Sequence, residues 1–169
     1  KIDILINNAG TNRPQAVDEI RDEDWNAIFD LNLHSVMALT RAAVPAMKER
    51  GWGRIVHISS VFGIGSNPAR SAYSATKAAL IGFTKSSALY LGSDGITVNC
   101  IAPGPILTDL PASVLTPEQQ KKWATTTAVG RWGNPEELAG PAMLLASDAG
   151  SFITGEVLVV DGGALARAL

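Results

Sequence analysis

Arg54-Ile55-Val56-His57-Ile58-Ser59-Ser60, followed after a Gly/Pro-bearing loop by Ser71-Ala72-Tyr73-Ser74-Ala75-Thr76-Lys77-Ala78-Ala79, decides the fold. The first stretch is an apolar, β-branched strand that ends in two serines. The second opens an alanine-rich helix predicted over Ser71–Leu91, in which Ala72, Ala75, Ala78, Ala79 and Gly82 allow close backbone packing. Upstream, Ile2–Asn7 is too short for a helix and reads as a fully buried parallel strand. A long helix then starts with Asp22 as N-cap, carries Trp25, Ile28, Phe29, Leu31 and Leu33 at helical spacing, kinks at Pro45 and closes at Gly51 and Gly53. Downstream, Ile96–Ile101 is a third strand and Pro103–Pro117 a long loop of the kind that is often functional. Glu118–Thr126 is a short polar helix. Asn134-Pro135-Glu136-Glu137 supplies an N-cap, a proline and an acidic first turn to a helix running to about residue 148, and Glu156–Val160 is the last strand. Strands alternating with helices imply an α/β fold: a parallel sheet, its four strands adjacent in chain order, covered on both faces.

The totals narrow the function. A chain of 169 residues suits one domain with a real core. Fourteen basic residues against sixteen acidic ones leave a net charge of −2, so there is no basic field to hold nucleic acid or an anionic membrane. No apolar run reaches the ~18–20 residues that span a bilayer, and no signal peptide is visible. The single cysteine, Cys100, lies in an apolar strand and reads as a buried inert thiol, consistent with a reducing cytoplasmic setting. The two histidines, His34 and His57, stand apart from any metal-ligand grouping. His57 points away from Ser60 along its strand, which argues against a Ser-His triad.

Tyr73 and Lys77 stand four residues apart on one helix face. An ammonium close to a phenol favours the phenolate and lowers its pKa from near ~10, which makes Tyr73 a candidate acid/base at neutral pH. Ser60 lies thirteen residues before Tyr73, at the strand end where open α/β sheets bind ligands. Asn32 sits inside the first long helix. Asn7-Asn8-Ala9-Gly10, Asn99-Cys100-Ile101-Ala102-Pro103-Gly104 and Asp161-Gly162-Gly163 complete an ordered set. In order and spacing this set resembles the classical short-chain dehydrogenase/reductase family from Lys1 to about Gly163.

The resemblance implies that residues 1–169 form a single partial domain, the C-terminal part of a doubly wound, Rossmann-like sheet. It also implies hydride transfer between NAD or NADP and a carbonyl or alcohol. On that reading Ser60 hydrogen-bonds the substrate oxygen, Tyr73 is the acid/base, Lys77 tunes Tyr73 and binds the nicotinamide ribose, and Asn32 holds a water that extends the proton relay. Asn8, Ala9 and Gly10 line the cofactor; Pro103, Gly104, Ile106 and Thr108 meet the nicotinamide amide and phosphate. The partners implied are a small-molecule substrate and a second copy of the chain, as a homodimer or homotetramer in which the two long helices pair. Phe83, Leu89 and Leu91 are the apolar residues expected on that outer surface.

One part of the family pattern is absent. The turn T-G-x-x-x-G-x-G, which cradles a pyrophosphate on a helix N-terminus, does not occur in these residues, and Gly63-Ile64-Gly65 lies in the wrong place to replace it. The chain begins at Lys1 and is in a core strand within a few residues, which reads as N-terminal truncation, leaves Ile2–Asn7 as a hydrophobic edge without its flanking strands, and predicts weak or absent binding of the whole dinucleotide. Two alternatives stay open at this stage. Ser74-Ala75-Thr76-Lys77 spells S-x-x-K, so a cofactor-independent serine hydrolase of esterase or β-lactamase type is conceivable, although S-D-N and K-T-G are missing. An inactive structural remnant is the other. The loops from Gly63 to Arg70 and from Thr108 to Gly130 are expected to line the substrate and name no chemical class.

Overall fold

The computed structural model describes residues 1–108 and 116–166. Four strands, β1 (Ile4–Asn7), β2 (Gly53–Ile58), β3 (Ile96–Pro103) and β4 (Val157–Val160), pair in parallel in that order. The register sets Ile6 opposite Val56, Val56 opposite Asn99, and Cys100 opposite Val157. Helices α1 (Asp22–Phe29), α2 (Ser35–Arg50), α3 (Ser71–Leu91), α4 (Pro117–Ala124) and α5 (Ala139–Ala146) fill the connections. Part of the loop expected over Pro103–Pro117, residues 109–115, lies outside the described residues.

The core has two halves because successive strand residues face opposite ways. On one face Ile55, Ile96 and Val98 pack with Ala43 and Met47 of α2 and Ala88 and Leu91 of α3. On the other, Val56 and Ile101 pack with Leu145 of α5, flanked by Ile58, Leu158 and Val160. Asn99, wholly buried in β3, ties the approach to β4: its Nδ2 donates to the Ile153 carbonyl at 2.7 Å and its Oδ1 accepts from the Glu156 N–H at 3.1 Å.

Several expectations need correction. β1 is not fully buried but is the expected hydrophobic edge, with Ile4 45% and Ile6 43% exposed, because no strand among the described residues pairs with its outer side. Asp22 is the first helical residue and Arg21, in extended conformation, is the N-cap. The acidic first turn instead anchors the preceding loop: buried Asp24 binds Arg13, takes a hydrogen bond from Gln15 Nε2 at 2.7 Å and another from Arg21 Nε at 2.7 Å. The first long helix is interrupted by a π turn over Asp30–His34, where the Ser35 N–H reaches back five residues to the Asp30 carbonyl. Pro45 sits within α2, and Gly51 caps that helix in left-handed conformation. Leu91 is buried in the core and Phe83 is half-buried, which leaves Leu89, 89% exposed, as the apolar surface residue of the three. The segment from Asn134 opens with a tight turn over Pro135–Leu138 before α5, held by Glu137 against the Asn134 N–H at 2.7 Å and against Arg131 at 2.7 and 2.8 Å. Among the described residues no helix is long and apolar enough to cross a membrane, and no cluster of metal-ligating side chains is present.

His57 is a fully buried sheet histidine, stacked on Phe83 with ring centroids 5.5 Å apart. The Asn7 side-chain amide donates to its Nδ1 at 3.0 Å, so Nε2 carries the proton in the neutral ring. Burial pushes its pKa down to about 4. The unfolded chain protonates this ring near the ordinary value of ~6.5, whereas the folded one resists until about 4. Between those values the unfolded state binds more protons, so the stability contributed by neutral His57 is present above pH ~6.5 and lost as pH falls towards 4, a swing of up to ~3 kcal/mol. Urea denaturation of His57→Gln at pH 7 and pH 4.5 should give a smaller acid-induced drop in unfolding free energy than the parent chain shows. An equal drop in both would place the acid sensitivity elsewhere.

Candidate active site

β2 ends at Ile58, and two buried serines, Ser59 and Ser60, follow it, with the Ser59 N–H still bonded to the Ile101 carbonyl at 2.8 Å. Ser60, extended and nearly buried, caps the turn Val61–Gly63 by accepting from the Phe62 N–H at 3.1 Å. Its hydroxyl is close enough to the Tyr73 phenol to favour the phenolate. Ser59 Oγ donates to the Lys77 carbonyl at 2.7 Å, and Lys77 Nζ donates back to the Ile58 carbonyl at 2.8 Å. This reciprocal pair fixes the end of the strand to the second turn of α3. Gly63 is the residue that permits it: a Cβ there would stand 2.7 Å from the Lys77 carbonyl oxygen and 2.8 Å from Ser59 Oγ.

Tyr73 and Ser60 face one open cleft of about 660 Å³. Gly104 and Ile106 form another part of its lining; the Gly104 N–H bonds the Val160 carbonyl at 3.0 Å, and Ile106 bridges to Gly133. A second group lies behind Tyr73. Lys77 Nζ is 5.5 Å from the Tyr73 ring centroid, and a Cβ on Gly10 would lie 3.4 Å from both Lys77 Nζ and Asn32 Oδ1. Asn32, on the π turn, is buried with its carboxamide engaged: Oδ1 accepts from the Thr11 N–H at 2.8 Å, while Nδ2 donates to the Thr11 carbonyl at 2.9 Å and to Thr76 Oγ1 at 3.2 Å. That side chain clamps the turn after β1 onto α3. Pro103 ends β3 beside the cleft. Asn8 and Ala9 line a separate hollow of about 80 Å³ with Ser35, Val36 and Leu39, and exposed Thr108 lies beyond Ile106, so these three do not join the main cleft.

The electrostatics differ from the sequence-based expectation. Burial pushes the Tyr73 phenol above its ordinary pKa; the Ser60 hydroxyl and the Arg70 guanidinium oppose this only in part. Lys77 is itself pushed down to about 8 by burial. Its ammonium is turned to the Ile58 carbonyl and lies over the Tyr73 ring, which is why it does not pull the phenol down. The S-x-x-K reading also fails. Ser74 Oγ pairs with Ser66 Oγ at 2.7 Å while Lys77 bonds the strand end, so the serine and lysine do not activate one another.

The ranges expected to line the substrate supply Gly65, Ser66, Asn67, Arg70, Trp123 and Thr126 to the cleft, whereas Asn12, Phe62 and Trp132 were not singled out by the sequence. Phe62 packs edge-on to Tyr73 with centroids 6.4 Å apart, and Trp123 links Phe62 to Trp132 at 6.5 and 6.2 Å. Arg70 and Asn12 add polar groups. Phe62 and Trp132 lie in turns without periodicity, so the sequence carried no signal for their contacts.

Known proteins match this arrangement. Residues 1–164 fit the family model described as enoyl-(acyl carrier protein) reductase. The chain is 44% identical over 163 residues to the 3-oxoacyl-[acyl-carrier-protein] reductase of Escherichia coli strain K12, covering 96% of this chain and 66% of the relative. It is 41% identical over 162 residues to the enzyme of the same name from Chlamydia trachomatis, covering 96% of this chain and 65% of that relative. The crystal structure of a gluconate 5-dehydrogenase from Burkholderia cenocepacia J2315, in complex with NADP and tartrate, superposes with a TM-score of 0.95 at 38% identity, covering 99% of this chain and 66% of that one. The chain thus spans about two thirds of the length of these relatives, 65–66%. With the parallel sheet, the strand-end serine and the Tyr-x-x-x-Lys helix in place, these matches make the chain a member of the short-chain dehydrogenase/reductase family.

Proposed function

We propose that the chain carries the substrate and nicotinamide half of an NAD- or NADP-dependent carbonyl reductase acting on a small molecule. The observation that carries this reading is the meeting of Ser60 and Tyr73 at one cleft, with Lys77 locked behind them. The residues fit the nicotinamide end of a cofactor. Lys77 Nζ is buried with the Ile58 carbonyl as its one hydrogen-bond acceptor among the described residues, which leaves ammonium protons for ribose hydroxyls. Tyr73, Lys77, Gly10, Pro103, Gly104 and Ile106 would hold that end, with Asn8, Ala9 and Thr108 at its margins. When bound, the nicotinamide supplies or accepts the hydride.

The chain's own residues handle the proton. With its pKa raised by burial, Tyr73 keeps its proton at neutral pH and is poised as an acid. Ser60 and Tyr73 both donate to the substrate oxygen, and Tyr73 transfers its proton to that oxygen as the carbonyl carbon is reduced. The phenolate left behind is favoured by the Ser60 hydroxyl and the Arg70 guanidinium, the two groups that oppose the effect of burial on Tyr73. Asn32 contributes by holding the Thr11 turn and Thr76 in place, and through them the surroundings of Lys77. We also read the chain as a cytoplasmic homodimer or homotetramer; Leu89 and Tyr90 on α3 and Leu39 on α2, 89%, 73% and 52% exposed, supply apolar surface for it.

Two measurements test this. Calorimetric titration of the 169-residue chain with NAD(H) and NADP(H) should show no saturable binding below millimolar concentration, since the glycine-rich pyrophosphate turn is not among these residues. Micromolar binding would mean the pyrophosphate is gripped elsewhere. A chimera in which the nucleotide-binding segment of a 3-oxoacyl reductase relative precedes Lys1 should bind NADPH and reduce a carbonyl. In that chimera Tyr73→Phe should lower the rate by at least ~100-fold, the scale of general acid catalysis, while circular dichroism and the unfolding midpoint stay nearly unchanged. A folded Tyr73→Phe protein of full activity would remove Tyr73 from the reaction.

A further inference from the structure

The substrate cleft contains a single charged residue among the described ones, Arg70. Among the described residues it has no carboxylate partner, and none of them forms an ion pair or side-chain hydrogen bond with its guanidinium, which rests over the Phe62 ring at 5.9 Å. By contrast Arg13, Arg21, Arg50, Arg54 and Arg131 are all paired with acids. A half-buried guanidinium on an aromatic face, facing a mostly apolar cavity without a counter-ion, is weakly solvated and is set to bind a carboxylate through two parallel N–H bonds.

Its placement is held by the backbone. Ala69 adopts a left-handed conformation, φ 63°, which an alanine rarely takes, and its carbonyl accepts from the Gln15 N–H at 3.2 Å. That turn brings Arg70 to the N-cap of α3, one turn before Tyr73. An anion at Arg70 would also meet the positive end of a 21-residue helix. Asn12 lines the same cleft and its Oδ1 has no hydrogen-bond partner, which suits a substrate hydroxyl.

We infer that Arg70 is the carboxylate anchor of the cleft, and that the substrate is a short hydroxy or oxo acid with a free carboxylate rather than a neutral carbonyl compound or an acyl thioester. The placement of the reacting carbon at Tyr73 rests on the carbonyl-reductase reading; the binding of the acid does not. Phe62, Trp123 and Trp132 then cover the carbon chain, while Arg70 sets its direction by fixing one end.

The test is binding, read by tryptophan fluorescence, because Trp123 and Trp132 line the cleft. The chain is titrated with two acids, D-gluconate and 3-hydroxybutyrate, and with their uncharged counterparts, D-glucitol and 1,3-butanediol. At least one acid should bind ten-fold or more tightly than its counterpart. Arg70→Gln should bring the acid down to the level of the neutral compound, and Arg70→Lys should keep part of the preference, with circular dichroism confirming that both variants fold. Absence of a preference for either acid, or a preference that survives Arg70→Gln in a folded protein, overturns the inference. In the NADPH-binding chimera the two ideas separate. Arg70-dependent acid binding without reduction of the corresponding oxo acid sinks the reductase reading and leaves the anchor standing. Reduction of neutral ketones at the same kcat/KM as oxo acids, unaffected by Arg70→Gln, does the reverse.

Discussion

The cleft depends on one stitch between the end of β2 and the second turn of α3. Ser59 donates to the Lys77 carbonyl, and Lys77 returns its ammonium to the Ile58 carbonyl. Each bond is worth on the order of 1 kcal/mol net, more for the charged one, but their geometric effect is larger. A strand end and a helix are held at two points, so Ser60 and Tyr73, the residues next to the stitch on either element, must face one another. The contact is close enough that residue 63 has no space for a Cβ. Burying Lys77 opposes this arrangement, as its depressed pKa records. The charge is tolerated because the strand-end carbonyl accepts from it.

Around the stitch, other buried polar groups act as positioning contacts. Asn32 binds both the N–H and the carbonyl of Thr11, as a neighbouring strand would, and reaches Thr76 on α3. It can do so because the π turn rotates it inward at the point where α1 would otherwise continue into α2. Asn99 performs the same service for the segment entering β4. Two asparagines thus replace missing backbone partners at two places where loops cross the sheet ends, and so the loops beside the cleft are anchored.

The charge distribution of the cleft follows from what is not neutralised. Asp24 gathers Arg13 and Arg21 at one end of the molecule, Asp148 holds Arg54 at another, and Glu137 holds Arg131. Arg70 is left facing the cavity, over Phe62 and near the phenol whose ionisation it favours. Tyr73 therefore sits between a burial effect that keeps its proton on and a nearby cation that makes losing it less costly. That balance suits a group that must both give and regain a proton.

The four strands, their order and their parallel pairing were legible in the sequence because each is a short β-branched run bounded by turn residues, and the alternation with helices leaves few topologies. The Ser71–Leu91 helix was legible to the residue, since its alanines and its flanking breakers mark both ends. Tyr73 and Lys77 could be singled out by their spacing, Ser60 and Gly10 through the family resemblance, and the fold brings the four together because spacing along a strand or a helix is rigid geometry. What tertiary structure alone decided is where unlike elements meet. The π turn at Asn32 needs the pull of Thr11 and Thr76, which lie 21 and 44 residues away. The exposure of Ile4 and Ile6 depends on which strands are present beside them. The pKa of Tyr73 depends on burial and on where Lys77 points, not on their separation of four residues. Local sequence sets backbone periodicity, but the direction and solvation of a side chain are set by neighbours that only the folded chain supplies.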